Sequence, residues 1–114
     1  MFKTIGLLKR KEGVSREAFI RHYETIHVPL MRKMLPQILE YRRNYLNREV
    51  AVVAPAAVDP DFDVITEISF ADRTSYDAAM AESAKPEIWA QIAADADLIF
   101  DMSRTRLFAV DVHG

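Results

Sequence analysis

Among the side chains able to move a proton or orient a polar substrate, His27 has the least ordinary setting. It lies in the stretch GVSREAFIRHYETIHVPLMRKML, Gly13 to Leu35, on the same helical stripe as Phe19 and Tyr23 and two residues before Pro29. An imidazole that titrates near neutrality suits the proton shuttling that isomerisation, dehydration and decarboxylation require. The plainer reading is a helix-end histidine whose ring nitrogens are satisfied by backbone. Glu67 is the second candidate. It alternates onto the face opposite Phe70, so if Phe70 packs beneath a helix, Glu67 points to the far side of the sheet. A carboxylate enclosed there would have a raised pKa and could pair with His27; the competing reading makes it an intersubunit salt bridge to Arg43 or Arg106. Tyr41, Asn44 and Tyr45 are candidates to position a substrate oxygen, although the tyrosines would equally fill a dimer core. Trp89 reads as core or as a pocket wall. His22, one step before Tyr23, is expected to point away from the stripe, at the surface or behind the site.

No metal site is expected: His22 and His27 are five apart, a spacing that does not put two rings on one face of an α-helix as four would. With no cysteine, disulfides, thiolate chemistry and cysteine-ligated metals drop out. The three glycines form no phosphate loop or dinucleotide fingerprint, and no nucleophile elbow is present, so no cofactor is expected. The net charge of −2, from 15 basic and 17 acidic residues, leaves no nucleic-acid footprint beyond the small cluster Arg42, Arg43 and Arg48. Apolar runs fall far short of the roughly 20 residues of a membrane span, and MFKTIGLLKRK has no signal-peptide core. The expectation is a cytoplasmic protein bound to neither membrane nor nucleic acid.

The elements that must position these groups follow from pattern. Met1 to Lys9 reads as a strand, and Lys11–Glu12–Gly13 as a turn. Ser15 is the cap of a helix with Glu17 in its first turn and Phe19, Tyr23, Ile26 and Leu30 along one face. Pro29 should push Val28 out of helical angles and stop or kink the helix at His27–Val28. Residues Ile38 to Val53 contain a second strand, with Tyr41, Arg43 and Tyr45 on one face and Arg42, Asn44 and Leu46 on the other. Ala54 to Asp61 reads as a loop, and Phe62 to Phe70 as a third strand. Asp72 caps a helix over Arg73 to Glu82 with Tyr76, Ala79 and Met80 buried, and Pro86 starts another carrying Ile88, Trp89, Ile92 and Ala96. After a turn at Asp101 to Ser103, Arg106 to Val112 is the fourth strand.

The order β-α-β-β-α-β in a single domain over 1–114 is the ferredoxin-like α+β pattern, a four-stranded antiparallel sheet with helices on one face. The other face is then bare, and Tyr41, Tyr45, Ile65 or their alternates would be exposed on it. A face of that kind marks an association surface, so a homodimer with two sheets enclosing a barrel is expected.

The block KRKEGVSREAFIRHYETIHVPL resembles the EthD family of the dimeric α+β barrel superfamily: basic cluster, Gly-containing turn, Ser-Arg-Glu, and the closing His-x-Pro-Leu supplied by His27, Pro29 and Leu30. Weaker likeness runs through Tyr41 to Asn44, TEISFAD at Thr66 to Asp72, and RTRLFAVD at Arg104 to Asp111. The resemblance implies a barrel-forming dimer with one small, partly apolar pocket per subunit. It is compatible with cofactor-independent isomerase, dehydratase or decarboxylase chemistry on a small aromatic, lactone or polyketide-like compound in catabolic or secondary metabolism. It is also compatible with a cofactor-free or haem-degrading type of monooxygenase, or with a non-catalytic carrier of a hydrophobic metabolite accompanying an oxygenase of aromatic or ether degradation. Strand one lacks the Asn that haem-degrading relatives place there, and Tyr23 stands where many relatives carry Trp.

Overall fold

The computed structural model describes residues 1–50 and 60–114. Most of the loop expected over 54–61, and the end of the stretch assigned to the second strand, lie outside the described residues. Strand β1 (Phe2–Leu8) is followed by α1 (Arg16–His22), a π-helical turn (Tyr23–His27) and α2 (Val28–Met34), and then by β2 (Glu40–Tyr45) and β3 (Val64–Phe70). Helices α3 (Arg73–Ser83) and α4 (Pro86–Ile99), a 3₁₀ turn (Met102–Arg104) and β4 (Arg106–Val110) complete the chain. The sheet order is β2-β3-β1-β4 with every neighbour antiparallel, the ferredoxin-like arrangement.

The caps are the expected ones. Ser15 accepts from the Ala18 N–H, and the Asp72 carboxylate accepts from Ser75 N–H at 2.7 Å. Pro86 opens α4 at its first turn, where the missing N–H is not needed. Gly13, at φ 87°, makes the turn before α1 in the left-handed region that side chains resist.

The helical run through Pro29 departs from expectation. Val28 keeps helical angles (φ −60°, ψ −48°), and its N–H donates to the Tyr23 carbonyl five residues back. Pro29 can give no hydrogen bond to Thr25 and its ring crowds that carbonyl, so the chain widens into a π turn instead of stopping. One residue is thereby added to the turn. Ile26, expected inside, is 50% exposed, while His27, Val28 and Leu35 take the buried positions.

Phe19, Tyr23, Leu35, Val64, Phe70, Ile99 and Phe100 are core residues between the sheet and the helices. Burying a side chain the size of Phe19 or Phe70 contributes about 2–3 kcal/mol. Register places Tyr41, Arg43 and Tyr45 opposite Ile68, Thr66 and Val64 on the helix-covered face. The tyrosines are therefore not the exposed set; their alternates Glu40, Arg42 and Asn44 face the open side with Ile5, Leu7, Ile65, Glu67, Phe108 and Val110.

Candidate functional site

His27 is 4% exposed, its ring edge-on to Tyr23 (5.6 Å between centroids) and Phe100 (5.4 Å). Its Nδ1 lies 2.8 Å from Oδ2 of Asp95, and the other oxygen of that carboxylate lies 2.9 Å from Nε2 of His22. His22 therefore does not turn away from the stripe. The π turn advances His27 so that rings five apart reach one carboxylate on α4. A carboxylate only accepts, so Nδ1 of His27 carries the proton and donates, leaving the Nε2 lone pair free. Among the described residues Nε2 has no hydrogen-bond partner. Burial lowers the pKa of His27 below its ordinary 6.5, with the Asp95 hydrogen bond pulling partly back, so the neutral form is favoured at pH 7. The result is an oriented imidazole base. No group of three His, Asp or Glu among the described residues is arranged to hold a metal ion.

Asp95 was the residue that sequence reasoning missed. A sign was present: Ile88, Ile92, Asp95 and Ile99 recur at four, three and four, which places an acid on the apolar face of a helix. A charge there needs a partner.

Beside His27 runs a chain of buried hydroxyls. The Tyr23 hydroxyl, on a residue with 0% exposure, lies 2.9 Å from that of Tyr41 and 2.8 Å from Thr66 Oγ1. Burial raises the pKa of both phenols, so both are neutral near pH 7. Next to them Glu24 takes a two-pronged contact from Arg43 (2.8 and 2.7 Å) and a hydrogen bond from the Tyr45 hydroxyl at 2.6 Å. Arg43 also donates to the Tyr41 carbonyl. The Arg43 guanidinium holds the Glu24 carboxyl below its ordinary range, against the opposing effect of burial. Glu24 and His27 stand in a Glu-x-x-His spacing, yet they face different partners.

Glu67 and Asn44 are elsewhere. On the open sheet face, Glu67 accepts from Lys3 Nζ at 3.0 Å and from Asn44 Nδ2 at 2.9 Å. It does not meet His27, because the sheet separates them. Its pKa is lowered rather than raised, through the Asn44 and Lys3 hydrogen bonds. Within the chain, Arg43 is taken by Glu24 and Arg106 by Asp61.

Trp89 is not core; it is 56% exposed on α4. It walls an apolar groove of about 640 Å³ together with Met80, Ile92, Met102 and Leu107. A second apolar cavity, of about 180 Å³, reaches from Met31 and Leu35 of the helical run to Ile68 and Thr4 of the sheet and to Tyr76 of α3. His27 precedes Met31, which lines both cavities, by four residues.

The family model described as "EthD domain" matches residues 11–103, most of the chain, so this chain belongs to the EthD family. Solved structures agree on the fold. An ethyl tert-butyl ether d (EthD) family protein from Bacillus halodurans is 20% identical, with TM-score 0.67 over 99% of this chain and 100% of its own. An Arabidopsis thaliana protein matches at 13% identity and TM-score 0.70, over 100% of this chain and 97% of its own. A dimeric ferredoxin-like protein of unknown function from Thermobifida fusca matches at 12% identity and TM-score 0.60, over 97% of this chain and 90% of its own. No curated protein matches the sequence. Among the described residues, no helix is long and apolar enough to cross a membrane.

Proposed function

We propose that this single EthD domain is a cytoplasmic, cofactor-independent enzyme that moves a proton on a small aromatic, lactone or polyketide-like compound. In this reading the apolar cleft between helices and sheet holds the substrate and His27 is the general acid/base. The observation that carries it is the Asp95–His27 hydrogen bond at 2.8 Å. It fixes the tautomer of a buried, neutral imidazole and leaves the opposite nitrogen free, as a general base requires. Tyr23, whose ring stands edge-on to His27, and Tyr41, hydrogen-bonded to it, are the candidates to polarise a substrate oxygen, and Trp89 to wall the substrate.

The working form is a homodimer joined through the open sheet face. Ile5, Leu7, Ile65, Phe108 and Val110 lie on that face, and Phe108 is half exposed in one chain. The Thermobifida relative is described as dimeric. Native mass spectrometry of the wild type and of Phe108→Asp tests it: a dimer that the substitution splits is expected, and a wild-type monomer would overturn it.

The residues lining the two apolar cavities do not include His27. That observation favours a second reading, a non-catalytic carrier of a hydrophobic metabolite. His27→Ala separates the two. With a panel of aryl lactones and aromatic acids, loss of turnover with retained binding supports catalysis. Turnover that survives in His27→Ala sinks the role of His27, and binding without turnover in the wild type leaves the carrier.

A further inference from the structure

The apolar space between helices and sheet has two compartments, and we propose that one elongated, uncharged ligand spans both, a ring in the inner and an alkyl or acyl chain in the outer, along Trp89. The proposal rests on the reading of the cleft as a small-molecule site and specifies the class of molecule. Size separates the roles. An apolar protein cavity of about 150 Å³ takes up one benzene, so the inner space of about 180 Å³ is sized for a single ring. The outer groove, about 640 Å³, is in the range of sites for larger small molecules. The two adjoin, since Met31, Leu35, Met80 and Leu107 line both, and a ligand that spans them passes between these four side chains.

The lining chemistry restricts charge. In the inner compartment only Thr4 and Tyr76 bring polar side chains, and both are hydroxyls. The outer adds Ser83 and Asp97 at its rim, and Lys11 already lies 3.8 Å from the Asp97 carboxylate and 2.6 Å from its carbonyl oxygen. Neither lining holds a cation for an anionic group, and the one carboxylate, Asp97, stays at the rim beside Lys11, so the part of the ligand carried inward is uncharged. Three of the chain's five methionines, Met31, Met80 and Met102, border the space. Unbranched thioether side chains adapt to a chain of variable length better than branched ones. Leu107 and Trp89, 69% and 56% exposed, are the surface that such a chain would cover.

Trp89 is the only tryptophan, so its emission reports the outer compartment directly. The test is titration of the full chain with 4-alkylphenols from phenol to 4-octylphenol, followed by indole emission excited at its red edge and by calorimetry. The expected result is a blue shift on binding and a Kd that falls about threefold to fourfold per methylene until the groove is filled. Trp89→Ala should flatten that dependence in calorimetry while leaving phenol itself bound. Ile68→Phe should weaken every member of the series, and Ile68→Ala, which enlarges the inner compartment, should strengthen ring-substituted members. Phenol binding with no dependence on chain length overturns the two-compartment ligand and leaves the small-molecule reading standing. No binding by any member overturns both. A blue shift that grows with protein concentration in the absence of ligand means that a second copy covers the groove, and it also overturns the proposal.

Discussion

His22 and His27, five positions apart on one helical run, bind opposite oxygens of the same Asp95 carboxylate, at 2.9 and 2.8 Å. Through this contact α4 holds the π turn in place. Asp95→Asn should lower the His27 pKa further, because the carboxylate is what pulls it upward against burial. Proton NMR of the imidazole ring gives the answer; an unchanged or raised value would sink the assignment of Asp95 as the group that tunes His27.

The same histidine sets a pH dependence of stability. Its folded pKa lies below its ordinary 6.5, so below that value the unfolded chain binds more protons than the folded one. The contribution of His27 to stability is therefore present above pH 6.5 and is lost as pH falls towards the folded pKa. Urea melts between pH 8 and 5 should show this decline, and His27→Gln should reduce it. The acid-side loss from Glu24 comes later, below its ordinary 4.5.

Tyr23→Phe removes one hydroxyl and strands two. Tyr41 and Thr66, both buried, would each lose a partner. A loss of about 1–3 kcal/mol is expected from chemical denaturation. A loss under about 0.5 kcal/mol would mean that the remaining two hydroxyls repair the network between themselves.

Glu67→Gln should leave the His27 titration unmoved, because the sheet lies between them and Glu67 is held by Lys3 and Asn44. A partly buried surface pair of this kind contributes about 1 kcal/mol at most. A shift in the His27 pKa would show that the two groups communicate after all.

Gly13→Ala isolates a backbone cost. A Cβ at this position meets nothing within 4 Å, yet φ is +87°. Destabilisation of about 1–2 kcal/mol is expected with no packing defect, and Gly13→Asn should cost less, since Asn tolerates the left-handed region. Thermal melts of the two variants decide it.

Much of the fold was readable because its signals are local. Ser15, Asp72 and Pro86 mark helix starts by chemistry that acts within one turn, and strict alternation in Val64 to Phe70 identifies a strand with one covered face. The site was less readable, for two reasons. The spacing argument that set His22 apart from His27 assumed an α-helix, and the π turn at Pro29 broke that assumption. Glu67 could not be partnered without knowing which side of the sheet the helices cover, a property of tertiary packing that alternation alone leaves open. Asp95 and Arg43 belong to the same class: charges on apolar faces whose partners come from elements 68 and 19 residues away.

Counted in angle rather than in residues, the π turn is a phase shifter. Each residue of an α-helix rotates the chain by about 100°, so one extra residue within a turn reassigns everything downstream to a new azimuth. The run from Arg16 to Met34 contains apolar residues for two azimuths. In regular phase Ile26 and Leu30 would face the sheet; in the shifted phase His27, Met31 and Leu35 do. Deleting Thr25 would remove the extra residue and leave His27, Met31 and Leu35 on their present azimuths, whereas the full-length run in regular phase would turn Met31 and Leu35 away from both apolar compartments and bring Ile26 inward in place of the imidazole. The helix could still pack, but as the wall of a different and unfunctionalised interior.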